Sequence, residues 1–360
     1  MKYIFFCFTL FSCFCISCSN SKSSSEENNN SVNLKYEKIC QLKEKPDLLG
    51  EITSISFIDT NHFVISTIKP SKVFIYSTKG DQIKEISKIG RGPLEVINPS
   101  IVRVYDSMIF VWCNQLLKLV VFDEFGKPLK EYSNFKKGII DFIPYKNYFC
   151  FYSGGGFKGS FIGIFDMDKR IILKEYGEIT NEGRLLGMMA GAGAMTISGT
   201  NLMFVEPSQL SITSIDLNNW SQSTKKNNDI EFIVNPMNKD AVKFANSSRS
   251  KTIDYLFNNS VVTDLFPTNN GLILKAEVGL ITEEKGKNDI SKRYDKFYFI
   301  NNNGGIDFSI KTKRDMANYN CLYTCFDGTI YNIAQYISNN EYKYVLNKLK
   351  FSNLNGTTTK

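Results

Sequence analysis

The feature that most constrains the fold is a strand–turn–strand unit that recurs along the chain. Each unit has two runs rich in Ile, Val, Phe and Tyr, which favour strands, on either side of a turn that contains Gly, Asn or Asp. The turns fall near residues 80, 126, 168, 218, 304 and 353. The steps between them are 46, 42, 50, 86 and 49 residues. Most of these steps match the repeat of a propeller blade, which is roughly 40–50 residues.

Further pairs of strands lie between these units, as at residues 52–66 and 101–112. Two hairpins in each period make a four-stranded antiparallel blade, and the count gives six blades. The last blade shows three clear strands, so we expect Leu34–Leu42 to supply its outer strand and to close the ring. Closure removes the open sheet edges that promote aggregation. The sequence therefore predicts an all-β fold, a six-bladed β-propeller of four-stranded antiparallel blades over residues 34–360, closed by an N-terminal strand.

Two points of this interpretation leave alternatives. A pair of β-sandwiches would also be rich in strands, but it would not be expected to repeat its turn chemistry at a fixed period. The 86-residue step is explained by a polar insertion at about 221–259. Within it, Asn235-Pro236 predicts the N-terminus of one helix, because Asn caps helices well and Pro suits the first helical position.

The N-terminus has the pattern of an export signal. Lys2 is followed by an apolar run, Ile4–Ile16, which is too short to span a membrane, since that takes roughly 20 apolar residues. The run ends at Cys15-Ile16-Ser17-Cys18, which resembles the lipobox of bacterial lipoproteins. We predict a signal peptide at residues 1–17, lipidation of Cys18 and a disordered polar tether at 18–33. Acylation of Cys13 and an ordinary signal peptide are the alternatives.

A short loop adds a family resemblance. The segment Ile89-Gly90-Arg91-Gly92-Pro93-Leu94-Glu95 follows the outer strand predicted for blade one. It resembles the G-x-G-P-G-E loop of the six-bladed β-propeller lipoproteins of Gram-negative envelopes, relatives of the NHL and TolB-like propellers. Leu94 stands where that loop has its third Gly. The resemblance implies a propeller in the cell envelope of a Gram-negative bacterium, anchored by lipid at the outer membrane, and it implies no particular activity.

Composition argues against several functional classes. Removal of residues 1–17 leaves a net charge of about +6, and no basic run exceeds two residues. Nucleic-acid-binding proteins usually cluster their basic residues, so we predict no nucleic-acid partner. We also expect the protein to be a monomer. Of nine Cys, four lie in or at the end of the signal. The remaining five are odd in number and scattered, which predicts buried free thiols rather than a disulfide framework.

No catalytic constellation is evident. His62 is the single His and lies in a predicted turn. A Ser-His-Asp triad or a zinc site with His and Cys ligands would have to use this residue, so both are disfavoured. Gly154–Gly159 matches G-x-G-x-x-G, but a strand follows it where nucleotide binding needs a helix. Most Asp residues sit in turns, where they bond to their own backbone. We therefore predict no catalytic residue, no metal and no cofactor.

Binding residues are expected on the loops at one face of the ring. The loop after each outer strand and the loop in mid-blade share that face. Arg91, Glu95 and Arg184 lie on such loops, and Trp112 and Tyr152 end second strands at the same side. We predict these five as ligand-binding residues. The alternative is a structural Arg91–Glu95 ion pair and aromatic packing between blades.

The functional hypothesis follows from these points. We expect a non-catalytic lipoprotein, attached to the membrane through its lipid, whose propeller binds an envelope protein, a peptide or a glycan. The alternative is a hydrolase or lyase that acts on a glycan or lactone through carboxylates at the channel. Convergence of two or three Asp or Glu at the channel mouth would favour the enzyme.

Overall fold

The computed structural model describes residues 33–43, 49–133, 135, 138–153, 159–190, 193–279, 293–313, 322–338 and 341–352. The predicted signal peptide and nearly all of the predicted tether, with Cys13 and Cys18, lie outside the described residues, as does most of the Gly-rich segment. The described part contains 24 strands and three helices.

The strands are, in chain order, β1 (Asn33–Gln41), β2 (Glu51–Phe57), β3 (His62–Ile68), β4 (Lys72–Ser77), β5 (Gln82–Glu85), β6 (Pro99–Tyr105), β7 (Met108–Cys113), β8 (Lys118–Asp123), β9 (Pro128–Tyr132), β10 (Asp141–Tyr145), β11 (Tyr148–Tyr152), β12 (Ser160–Asp166), β13 (Ile171–Glu178), β14 (Ala194–Ser198), β15 (Asn201–Val205), β16 (Ile212–Asp216), β17 (Gln222–Lys225), β18 (Val261–Thr268), β19 (Gly271–Val278), β20 (Tyr294–Ile300), β21 (Ile306–Lys313), β22 (Leu322–Phe326), β23 (Thr329–Ser338) and β24 (Glu341–Ser352). The helices are α1 (Asn181–Ala190), α2 (Ala241–Ser247) and α3 (Arg249–Asn258).

These strands form six four-stranded antiparallel sheets, which are the blades of a propeller. In blades one to five, four consecutive strands pair in sequence order: β2–β5, β6–β9, β10–β13, β14–β17 and β18–β21. The first strand of each blade contacts the first strand of the next, and β22 contacts β2, so the inner strands make a closed ring. The predicted six-bladed fold is confirmed.

Blade six is completed by the N-terminal strand. Its order is β1-β24-β23-β22, and β1 runs antiparallel along β24 from the pair Asn33–Ser352 to the pair Gln41–Val345. The predicted closure is therefore confirmed. Because β1 pairs with most of the outer edge of β24, the two ends of the described chain hold each other in place.

The core lies between the blades. Second and third strands are covered on both faces by neighbouring blades, so they have nearly continuous apolar runs, as in β7 and β8. Outer strands such as β5 are exposed and carry Lys and Glu. Between blades two and three the core is mostly aromatic, and each fully buried Phe there contributes on the order of 2 kcal/mol.

Turns between third and fourth strands follow the predicted chemistry. Asp123 accepts hydrogen bonds from the backbone N–H groups of Phe125 and Lys127, and Asp166 accepts them from Asp168 and Lys169. Gly126 follows in the left-handed region with φ +78°. A Cβ at this position would lie 2.1 Å from Ile86 Cγ2, so both the turn and the close approach of blade one require glycine.

The insertion differs from its prediction. Gln222–Lys225 is the outer strand of blade four, so the additional segment begins after Lys225. It contains two helices rather than one. The first is capped by Asp240, whose carboxylate accepts from the N–H groups of Val242 and Lys243, and not by Asn235, which is bonded to Asn259. An aspartate with two free N–H groups ahead of it is the stronger cap, and this outweighs the Asn-Pro signal.

A third helix was not foreseen. α1 occupies Asn181–Ala190, and β14, the inner strand of blade four, begins at Ala194. Thr180 precedes the helix, and its hydroxyl accepts a hydrogen bond from Gly183 N–H. Two glycines within the helix lower its intrinsic propensity, so the local sequence signal is weak. Within the described ranges, none of the helices has the length and hydropathy needed to cross a membrane.

Candidate functional site

One face of the ring collects the longest connections. In each blade the first and third strands run away from this face, and the second and fourth run toward it, because all neighbours are antiparallel. The connections between blades and those between second and third strands therefore meet there. We call this the loop face. It carries α1, α2, α3 and the segment 89–95, so Arg91, Glu95 and Arg184 share a face as expected.

Glu95 folds back into its own loop. Its carboxylate accepts a hydrogen bond from Gly92 N–H at 2.8 Å and pairs with Lys88 at 2.7 Å. These two contacts hold the pKa of Glu95 below its ordinary value. A Cβ at Gly90 would lie 2.0 Å from the same carboxylate, which explains the glycine. Glu95 therefore shapes the loop, and its ion pair is with Lys88 rather than with Arg91.

Blade two fixes the other side of this loop. Lys118, with a side chain only 5% exposed, donates to the carbonyl of Gly92 at 2.9 Å and to the carboxylate of Glu131 at 2.9 Å. Glu131 also accepts from Leu94 N–H at 2.7 Å. A buried Lys must be paired to be tolerated, and here it bonds to the loop backbone and to a carboxylate. The loop is thus rigidly held across the boundary between blades one and two.

The outward side of the loop is left open. Ile89 is 49% exposed, and Arg91 and Pro93 are also exposed. Arg91 forms no ion pair with any residue that the structure describes. Alternate residues therefore point outward while Gly90, Gly92 and Glu95 build the inner side. Of the five predicted ligand-binding residues, Arg91 is the one whose side chain is available to a partner.

Arg184 ties the helices together instead. It lies on α1, is 5% exposed and contacts the carboxylate of Asp240 at 3.1 Å, the residue that caps α2. Glu182 of α1 also accepts from Met237 N–H in the insertion. The connection between blades three and four and the connection between blades four and five are therefore joined. This contact explains why Arg184 is buried and cannot reach a ligand in this conformation.

Trp112 and Tyr152 lie inside the protein. Both are fully buried. Trp112 packs edge-on against Phe135 between blades two and three, with the ring centroids 5.2 Å apart. The hydroxyl of Tyr152 donates a hydrogen bond to the Val205 carbonyl at 3.3 Å. Both lie at the ends of second strands, and neighbouring blades cover these strands on both faces. The sequence pattern does not show this covering. Both residues pack between blades, as the alternative interpretation proposed.

The sequence did not reveal a group of charged residues on the inner strands. Arg103 of β6 bonds to Asp141 of β10 and donates to Ser54 of β2 at 3.1 Å, so one guanidinium links three blades. Asp141 is the first residue of its strand and lies at the loop-face end of the ring. Its side chain is 18% exposed although protein surrounds it. Burial raises the pKa of Asp141 despite the Arg103 charge.

A second ion group lies on blade five. Lys275 donates to Thr263 at 3.1 Å and lies 3.8 Å from Asp264 and 3.7 Å from Asp295. Burial raises the pKa of Asp264, and the negative charges of Asp141 and Asp295 add to the rise, against the Lys275 charge. Asp141 of blade three and Asp264 of blade five both lie on the innermost strands of their blades, β10 and β18. We call Arg103, Asp141, Asp264 and Lys275 the channel group.

Other candidate chemistry is sparse in the described part of the chain. His62 is partly exposed and bonds to Asp59 in its turn at 3.0 Å. In that part there is no group of three or more His, Cys, Asp or Glu side chains that could hold a metal ion. Cys40, Cys113 and Cys150 are buried free thiols, and Cys325 is half-buried. Burial raises the pKa of Cys113 to about 11 and that of Cys150 to about 12, so these thiols are unreactive at neutral pH. Cys321 lies outside the described residues.

The fold and its loop face define a six-bladed β-propeller, and comparisons with known proteins agree. Residues 42–178, which span blades one to three, match a protein family described as a six-bladed beta-propeller. No curated protein matches the sequence.

Two solved structures from Bacteroides share the architecture. A protein of Bacteroides fragilis designated as exported is 14% identical, with a TM-score of 0.61, and the match covers 91% of this chain and 98% of that one. A member of the DUF4221 family from Bacteroides vulgatus is 12% identical, with a TM-score of 0.63, and the match covers 91% and 100%. At these identities the similarity shows the fold alone.

Proposed function

We propose that this chain is an exported, lipid-anchored binding protein whose loop face receives an envelope protein, a peptide or a glycan without turning it over. One observation carries the proposal. The loop face holds the helices and the exposed tip around Arg91, whereas β1 begins at the opposite face of the ring. A tether that precedes β1 would leave the loop face directed away from the membrane.

The address rests on the N-terminal sequence. The lipobox ending at Cys18 and the polar segment after it fit an anchored lipoprotein, and a related Bacteroides propeller is designated as exported. Two or more acyl chains hold a protein firmly on a bilayer, whereas one holds it marginally. A Cys18→Ala chain should lose incorporation of an alkyne-labelled fatty acid in cells. Unchanged labelling would move acylation to Cys13 or remove the anchor from the proposal.

The exposed tip has the chemistry of a protein-binding surface. Ile89, Arg91 and Pro93 combine apolar area with a guanidinium, on a loop that Lys118 and Glu95 hold rigid. Arginine is among the residues that most often dominate interfaces, and a rigid loop loses little entropy on binding. The partner would therefore meet a preformed loop.

Photo-crosslinking in the envelope tests this surface. A crosslinking residue placed at Ile89 should capture a defined partner, and Arg91→Ala should reduce the yield with the melting temperature unchanged. Lys79→Ala is the matched control, because Lys79 is an exposed cation on a turn at the opposite face. Equal loss in both variants, or no captured partner, would contradict binding at the loop face.

A second function is favoured by the channel group alone. A carboxyl with a raised pKa beside a second carboxylate is a candidate acid or base, as in a hydrolase or lyase acting on a glycan or lactone. Asp141, however, is already bonded to Arg103, and Asp264 lies close to Lys275. Turnover of a glycan or lactone that disappears in Asp264→Asn, but persists in the exposed-turn control Asp81→Asn, would establish the enzyme in place of the binding protein.

A further inference from the structure

The six blades provide an internal standard for each position. The third strands align on the residue that opens the following turn, which is Ser77, Asp123, Asp166, Asp216 or Asn301 in blades one to five. Two residues earlier, blades one to three carry Ile75, Val121 and Ile164, which are 6%, 3% and 0% exposed. These side chains pack against the next blade. In blade four the same position is Ser214.

The outer strand shows a matching change. Ile75, Val121 and Ile164 pair with Lys84, Lys130 and Lys174, respectively. Ser214 pairs with Ser223. Blade four has therefore replaced an aliphatic residue and a lysine by two serines on the face that meets blade five.

The lysines of blades one and three contact the next turn across a blade boundary. Lys84 donates to the carbonyl of Phe125, in the turn of blade two, at 2.7 Å. Lys174 lies over the ring of Trp220, in the turn of blade four, at 5.5 Å. Ser223 is too short to make such a contact, so the boundary between blades four and five stays open.

The opening is a groove of about 330 Å³ between blades four and five. Blade four contributes Ser198, Asn201, Ser214 and Ser223. Blade five contributes the turn 301–304, which is fixed because Asn227 donates to the Gly304 carbonyl at 2.9 Å. This volume is at the small end of the range for small-molecule sites, roughly 300–1,000 Å³. The groove is therefore a built feature that can hold one or two sugar-sized units.

The lining indicates the class of ligand. Serine hydroxyls and asparagine amides both donate and accept, which suits neighbouring hydroxyl groups of a saccharide. Met203, Ile212 and Leu272 supply an apolar floor for the face of a sugar ring. Lys225 is the one charged residue of the lining, and it is exposed with no ion pair to any other described residue. No lining residue is a carboxylate.

We propose that this groove binds an acidic saccharide, with a uronate carboxylate on Lys225 and sugar hydroxyls on the serines and asparagines. The site is separate from the loop face and does not depend on a partner bound there. It gives a propeller of the cell envelope a means of holding acidic glycans between two blades.

Calorimetry with the purified full-length chain and trigalacturonate tests the proposal, with galactotriose as the neutral comparison. Saturable binding of trigalacturonate is expected, with weaker binding of galactotriose. Ser214→Ile restores the residue type of blade one and should abolish binding by filling the groove. Thr213→Ile is the matched control, since it introduces the same side chain at the adjacent residue, on the other face of β16.

Charge is tested separately. Lys225→Met should weaken trigalacturonate binding by about two- to fivefold, as expected for one exposed ion pair, and leave galactotriose unaffected. Absence of saturable trigalacturonate binding, equal affinity for galactotriose, or binding unchanged in Ser214→Ile would each overturn the proposal. None of these outcomes involves Arg91, so they leave the loop-face function to its own test.

Discussion

Two boundaries between blades have different side chains: the one between blades two and three, and the one between blades four and five. The first is an aromatic cluster of Trp112, Phe135, Phe149, Phe151 and their neighbours. The second has smaller aliphatic residues, a polar groove and buried ions. Aromatic rings stabilise the first boundary through the apolar area that they bury, whereas the second boundary depends on ion pairs and on the added helices. The same blade geometry thus accommodates two kinds of boundary, and the polar groove lies at the less apolar one.

The two boundaries also differ in their relation to known proteins. The family match covers blades one to three, which include the aromatic boundary, and ends at residue 178. The helices and the insertion all follow that residue. The features that depart from the repeating four-stranded blade, three helices and an insertion, therefore lie outside the matched part of the chain.

Opening the ring should have the largest effect on stability. This change tests whether both boundaries depend on the intact ring. Removal of residues 33–41 exposes the edge of β24 and the apolar surface beneath β1. The shortened chain should lose its cooperative unfolding transition or aggregate, as followed by circular dichroism and light scattering. Removal of residues 19–32, the predicted tether, is the control and should leave the transition in place. A cooperative transition without β1 would contradict the closure.

Trp112→Ala tests the aromatic boundary. The side chain is fully buried against Phe135 and Phe149, so its removal leaves a large cavity. Urea unfolding should show a loss of about 3–5 kcal/mol. Phe125→Ala, at a ring 71% exposed, should cost less than about 0.5 kcal/mol. A stable Trp112→Ala protein with weakened partner binding would instead support the role that the sequence alone suggested.

Lys296→Met tests the ionic side of the comparison. Lys296 is 5% exposed and contacts both Asp229 and Glu231, which approach blade five from the segment after β17. Loss of the cation leaves two half-buried carboxylates unpaired, which should cost about 3 kcal/mol at pH 7. Lys311→Met is the control, since Lys311 is 53% exposed and pairs with one of the two carboxylates, Glu231, and it should cost less than about 1 kcal/mol.

The same pair makes a pH-dependent prediction. Burial alone would raise the pKa values of Asp229 and Glu231, but hydrogen bonds from Lys296 and its charge hold both below the ordinary range. Stability from depressed carboxyl pKa values is present above about pH 4 and is lost as pH falls through the folded-state values. The cost of Lys296→Met should therefore shrink between pH 7 and pH 3. A constant cost over that range would mean that packing, not charge, holds the segment.

The contrast between the boundaries also explains what could be predicted from sequence. The repeat near Gly80, Gly126 and Gly304 and the unpaired segment 34–42 are local signals, and the fold followed from them. The contact of Arg103 with Asp141 joins residues 38 apart on different blades, and no local pattern marks it. The burial of Trp112 could not be predicted, because position in a strand predicts which side a residue faces, not whether another blade covers that side.

Substitution of Leu94 should have the smallest effect on the free energy of unfolding. It tests how well the loop of the related propellers fits this chain. Leu94 has φ +59°, the conformation that suits the glycine of the related loops, yet its side chain packs against the core between blades one and two. Leu94→Gly should relieve about 1 kcal/mol of backbone strain, while glycine adds about 0.5–1 kcal/mol of unfolded-state entropy and the packing is lost. The net change in urea unfolding should stay within about 1 kcal/mol. Leu94→Asn separates these contributions, because Asn tolerates this conformation without the added freedom of glycine. A loss above about 2 kcal/mol in both variants would show that packing by Leu94, rather than backbone conformation, decides the residue at this position.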